Sequence, residues 1–115
     1  MALRIDVHNR LAGPFYLRLR GVHLVGVDAA LAADAECSVS PGTTTGVVEG
    51  AVWVPATQMP AVRGVHVDAF AVPLSERGRA FYREFLLRQR PGDAAAIDAE
   101  LAAYAAAPPC QVPPP

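Results

Sequence analysis

Residues 65–76 read Val65-His-Val-Asp-Ala-Phe-Ala-Val-Pro-Leu-Ser-Glu76, and their order decides the fold. Alternation over Val65–Val72 predicts a strand with Val65, Val67, Ala69 and Ala71 on one face. His66, Asp68 and Phe70 take the other. Pro73 stops the strand, because it has no N–H for a ladder. Ser75 then suits a helix N-cap, with Glu76 at the favourable end of the helix dipole. The helix is expected to run to about Arg90, with Phe81, Tyr82, Phe85 and Leu86 as its apolar stripe. Pro91-Gly92 ends it.

Upstream, the pattern is strand-like. Leu3, Ile5 and Val7 alternate with polar residues. Phe15, Leu17 and Leu19 do the same against Arg18 and Arg20, and Gly21–Val27 extends that strand beyond a kink at Gly21. Gly13-Pro14 marks the connection between them. Asp28–Ala33 is expected to be a short helix capped by Asp28. Ser38–Gly46 reads as a loop by its Pro-Gly and hydroxyl content. Val47–Val54 is rich in β-branched residues and forms the next strand, ended by Pro55, and Thr57–Gly64 is a turn.

Downstream, composition shifts. Residues 93–107 are Ala-rich, and Ile97, Leu101 and Tyr104 form a thin stripe that predicts a second, weakly gripping helix. Residues 108–115 carry five of the chain's 11 Pro, which predicts an extended or disordered tail. Strands first and helices later define an α+β fold. The expected architecture is a small antiparallel sheet of about four strands, packed with one long and one weaker C-terminal helix. Residues 1–91 form the core domain, and 92–115 the Ala-rich helix and Pro-rich tail.

A length of 115 residues accommodates one domain. Ten basic residues, all Arg, face 11 acidic ones. That balance argues against a protein that wraps nucleic acid, which needs a basic excess. No apolar run reaches the length of a membrane span, and the first residues lack a secretory h-region, so a soluble intracellular protein is expected. Cys37 and Cys110 permit one disulfide without requiring it.

Candidate chemistry is thin. His8, His23, His66, Cys37 and Cys110 show no metal-ligand spacing. His66 and Asp68 share a strand face and could form a general-base pair, but no nucleophile pattern accompanies them. Gly42-Thr-Thr-Thr-Gly46 lacks the Lys of a phosphate-binding loop. No cofactor, metal or catalytic residue is therefore expected, and the protein is read as a non-enzyme. Arg77, Arg79, Arg83 and Arg88 form the best basic patch, a candidate partner-binding helix face. Phe70 and Trp53 lie opposite their strands' other apolar residues. Both sheet faces thus carry large apolar groups, more than two modest helices can cover. A second copy of the chain is the expected cover.

Leu3-Arg-Ile-Asp-Val7, Phe15 twelve residues beyond Leu3, and Gly21-Val-His-Leu24 are similar to the opening of the adenoviral nuclear-matrix proteins encoded by the third open reading frame of early region four. Gly46-Val-Val-Glu-Gly-Ala51 resembles that family's Gly-hydrophobic-Val-Glu-Gly-Ala segment. Val65–Leu74 resembles its strand leading into the long helix, and the chain length also matches. The resemblance spans roughly residues 3–90, with gaps in 25–45. It implies a non-enzymatic viral early protein of the host nucleus, which dimerises and assembles further. Such an assembly reorganises nuclear bodies and sequesters host DNA-damage, antiviral and tumour-suppressor factors through avidity. Val65, His66, Val67, Asp68, Ala71, Val72 and Leu74 carry over as the central strand and helix start; with Ala69 and Phe70 they form the candidate dimer strand. Two departures weaken polymerisation more than dimerisation. Residues 93–115 lack the family's Gly-Gly turn and apolar strand, and Glu84 stands where the family's long helix has an Asn. The competing reading is a small prokaryotic or phage protein-binding module that uses the Arg-rich helix surface.

Overall fold

A computed structural model describes residues 1–110. Its elements are β1 (Ala2–His8), β2 (Phe15–Val25), β3 (Ala30–Leu31), β4 (Ala35–Val39), β5 (Thr44–Ala51), a 3-10 turn (Met59–Ala61), β6 (Gly64–Pro73), α1 (Glu76–Gln89) and α2 (Ala94–Ala105). The fold is α+β, with antiparallel sheets and two C-terminal helices.

The strands divide into two sheets. β2 is central in the larger one, with β6 along one edge and β3 and β4 sharing the other. β1 and β5 form a separate two-stranded ribbon. The ribbon lies over one face of the larger sheet, where Leu3, Val48 and Val52 pack against Leu19, Val22 and Leu24. Gly50 makes this approach close: a Cβ there would sit 2.9 Å from the Leu31 side chain. The helices cover part of the opposite face. Tyr104 of α2 stacks on Tyr16 of β2 at 4.5 Å between ring centroids. Phe70 of β6 meets Tyr16 edge-on at 6.3 Å and Tyr104 at 5.9 Å.

The kink expected at Gly21 is a β-bulge. Leu19 pairs with Ala69 but Gly21 with Asp68, so Arg20 is the extra residue on β2. The bulge restores alternation across the bend. It puts Leu17, Leu19, Val22 and Leu24 on one face, all buried. On β6 the expected sidedness holds: Val67 packs into the ribbon-side core, and Phe70 and Val72 face the helices. α1 starts where expected, with Ser75 Oγ accepting the Gly78 N–H at 3.1 Å.

Three local expectations are corrected. Asp28–Ala33 is not helical; it is a bend followed by β3, whose Leu31 pairs with Val22. Ser38–Gly46 is not one loop. Ser38 and Val39 end β4, residues 40–43 turn, and Thr44–Gly46 begin β5. The next strand accordingly ends at Ala51, and Val52–Val54 lie beyond it. Asn9 ties the β1–β2 connection to the turn between β4 and β5, its N–H donating to the Thr43 carbonyl and its carbonyl accepting from the Gly42 N–H. It is fully buried, donates to the Gly13 and Val39 carbonyls at 3.0 and 2.9 Å, and accepts from the Leu11 N–H at 2.8 Å.

The C-terminal segment is tied back. Cys110 forms a disulfide with Cys37, 73 positions earlier in the chain. Pro109 makes a parallel bridge with Ser38: the Ser38 N–H donates to the Pro108 carbonyl at 2.8 Å, and the Cys110 N–H to the Ser38 carbonyl at 2.9 Å. Residues 108–110 are thus an extended segment pinned to β4 and not a free tail, and the rest of the 108–115 expectation lies outside the described residues.

Candidate interaction surface

β6 is ten residues long and bonded on one side only, to β2. Among the described residues nothing pairs with its outer edge. The Leu74 N–H donates to the Pro14 carbonyl at 2.9 Å, across β2's side. Amides alternate in direction along a strand, so those of Val67, Ala69 and Ala71 point outward to the open edge. Edge residues have little cover: Val65, His66, Asp68, Ala69 and Ala71 are exposed, and Val67 and Phe70 half-buried. Val72 is fully buried, and Leu74 is half-buried.

His66 and Asp68 lie on the sheet face opposite the ribbon, beyond the reach of the helices. The His66 ring lies on His23 of β2, 4.6 Å between centroids. No hydrogen bond joins His66 to Asp68 among the described residues, and no group of three metal-ligating side chains gathers there or elsewhere among them. The pair forms an exposed polar strand face.

The arginine face expected on α1 is divided. Arg83 holds α2 through a two-pronged contact with Asp98, at 2.6 and 3.3 Å. Arg90 does the same with Glu100, at 2.7 and 3.3 Å. These hydrogen bonds hold the Asp98 and Glu100 carboxyls below their ordinary pKa range. Arg88 pairs with Glu84 one turn back, at 3.0 Å. Only Arg77 and Arg79 of the expected set are exposed without an ion pair among the described residues. The patch is therefore not one continuous basic surface: Arg83 works inside the protein, fastening one helix to the other.

What the sequence pattern missed is apolar. Of the expected α1 stripe, Leu86 is buried with Ile97 and Leu101 and Tyr82 is half-buried, but Phe81 is 76 % and Phe85 47 % exposed. Phe81 lines a groove of roughly 720 Å³ together with Leu11, Pro14, Pro73 and Arg77. Trp53, read as sheet-facing, stands 82 % exposed just past β5. The i, i+1, i+4, i+5 spacing made the stripe wider than α2 can cover, and that width was the available signal.

No family model, no curated protein and no solved structure matches this chain. None of the helices among the described residues is long and apolar enough to cross a membrane.

Proposed function

We propose that this chain is a non-enzymatic interaction protein that works as a self-associated assembly, with β6 as its contact strand. The observation that carries the reading is the open outer edge of β6. An unpaired edge of this length presents a row of backbone donors and acceptors, which proteins otherwise blunt with bulges, lysines or prolines. β6 has none of these before Pro73, and its one facing bulge lies on β2. Surface area supports the same reading. The chain exposes 7499 Å², whereas a compact monomer of its mass exposes about 6,000 Å².

The resemblance to the adenoviral nuclear-matrix proteins supplies the finer form of the proposal. In that form the assembly is a viral early scaffold of the host nucleus that reorganises nuclear bodies and sequesters host proteins. Two measurements separate the levels. Light scattering on the purified chain should report a dimer or larger species at micromolar concentration; a stable monomer would overturn self-association. A tagged chain in vertebrate cells should form nuclear tracks that displace nuclear bodies; a diffuse cytoplasmic signal would overturn the scaffold role and leave self-association standing.

The second reading, a module that captures a partner through α1, keeps one favourable observation: the groove beside Phe81 and Arg77. Phe81→Glu should then abolish partner capture while the self-associated mass stays unchanged.

A further inference from the structure

We propose that two copies pair antiparallel along β6 about a two-fold axis at Val67, giving a continuous sheet through both protomers; this rests on the self-association reading above. A two-fold contact must be self-complementary, so each candidate register can be tested against the residues it brings together.

With the axis at Val67, His66 meets the partner's Asp68, and Asp68 meets the partner's His66. The same register sets Val67 against the partner's Val67, Val65 against the partner's Ala69, and Phe70 against the partner's Gly64. Each pairing is favourable. His and Asp supply opposite polarity twice. Val65 is 43 % exposed and would gain an apolar neighbour. Gly64 has nothing within 4 Å of where a Cβ would stand, so an aromatic ring has room to cover it.

Backbone direction is compatible with this axis. The Val67 amide points to the open edge, by alternation from the Leu74–Pro14 bond. Val67 then forms a hydrogen-bonded pair with its own copy. His66 and Asp68 fall in the non-hydrogen-bonded pairs, where facing side chains come closest. The neighbouring registers fail. An axis at Asp68 sets two carboxylates face to face, and an axis at His66 sets two imidazoles face to face and leaves Asp68 opposite the partner's Gly64. An axis at Ala69 sets Asp68 against Phe70 and His66 against the buried Val72. An axis at Val65 carries Asp68 beyond the partner's strand, opposite Val62. The His66–Asp68 pair, with no catalytic setting around it, thus has a use as the register key of an interface.

A charge-swap experiment tests this. The variant H66D opposes acid to acid twice, and D68H opposes imidazole to imidazole twice. Both positions are exposed, and circular dichroism on each variant is the control for folding. Sedimentation should show H66D dimerising roughly ten-fold more weakly than the native chain. Mixing H66D with D68H restores both His–Asp pairs, so native mass spectrometry should show the mixed dimer in excess over either self-pair. A69P removes one outward N–H without touching the ladder to β2 and should also break the dimer. A native dimer indifferent to all three changes overturns this register and leaves self-association intact. A native chain that stays monomeric to millimolar concentration overturns both.

Discussion

Tyr16 has no exposed surface, yet its hydroxyl donates to the Glu36 carboxylate on β4 and its ring stacks on Tyr104. Burial first, and then the hydrogen bond to Glu36, push its phenol up to about 12. The folded protein therefore holds this proton more tightly than the unfolded chain, where tyrosine titrates near 10. The resulting stability is fully present below pH 10 and is lost as pH rises through about 12. The loss should amount to about 3 kcal/mol. Chemical denaturation at a series of alkaline pH values should show the native chain losing this increment relative to Tyr16→Phe. Parallel curves would show that Tyr16 contributes nothing to the alkaline slope. At the same scale, the cap at Ser75 and the kink at Gly21 were legible because each depends on one residue's backbone chemistry. Asn9 was not. A lone amide between Arg10 and His8 reads as loop polarity, and its three partners come from residues 11, 13 and 39.

Elements held by local pattern were read correctly, and those held by distant contacts were not. β6 and α1 carry their own alternation, stop and cap. β3 consists of two residues whose conformation depends on pairing with Val22 and His23, so nothing within Asp28–Ala33 announces it. β4 hides because Ala35 and Glu36 precede a run of Ser, Pro, Gly and Thr that reads as turn chemistry. The hold on α2 is equally non-local: Arg83 and Arg90 reach it from α1, and the Cys37–Cys110 disulfide fixes the segment beyond it. Two outcomes follow. Asp98 and Glu100 have depressed folded-state pKa values, so their contribution is present above the ordinary carboxylate range and fades as pH falls through the folded values. Hydrogen exchange should therefore show α2 amides losing protection at acid pH before those of β2; simultaneous loss would show the ion pairs to be incidental. The disulfide closes a loop of 73 residues. Chain entropy for a loop of that size gives about 4 kcal/mol. The double variant C37S/C110S should unfold at correspondingly lower denaturant, and an unchanged midpoint would show that the remaining contacts alone hold the segment.

At the scale of the whole molecule, the shape is extended. The radius of gyration is 17.0 Å and the principal extents are 53 × 30 × 20 Å. A compact chain of this length has a radius of gyration of about 13 Å. Ala supplies 22 of the 115 residues and buries little area each, so the core has few large side chains to close around. Under the proposed pairing the chain gains stability on association, and mass action couples folding to concentration. For a dimer that unfolds to separated chains, each ten-fold rise in concentration adds about 1.4 kcal/mol of apparent stability. A dimer of two such chains unfolds with the entropy of both, so its Tm shifts by roughly 2 °C per kcal/mol. Calorimetry across two decades of concentration should therefore raise the native Tm by about 6 °C in total. The A69P variant, which cannot extend the sheet, should show a flat line. A native Tm independent of concentration would mean that the open edge of β6 and the surplus surface belong to a folded monomer, and self-association would be lost as the organising property of the fold.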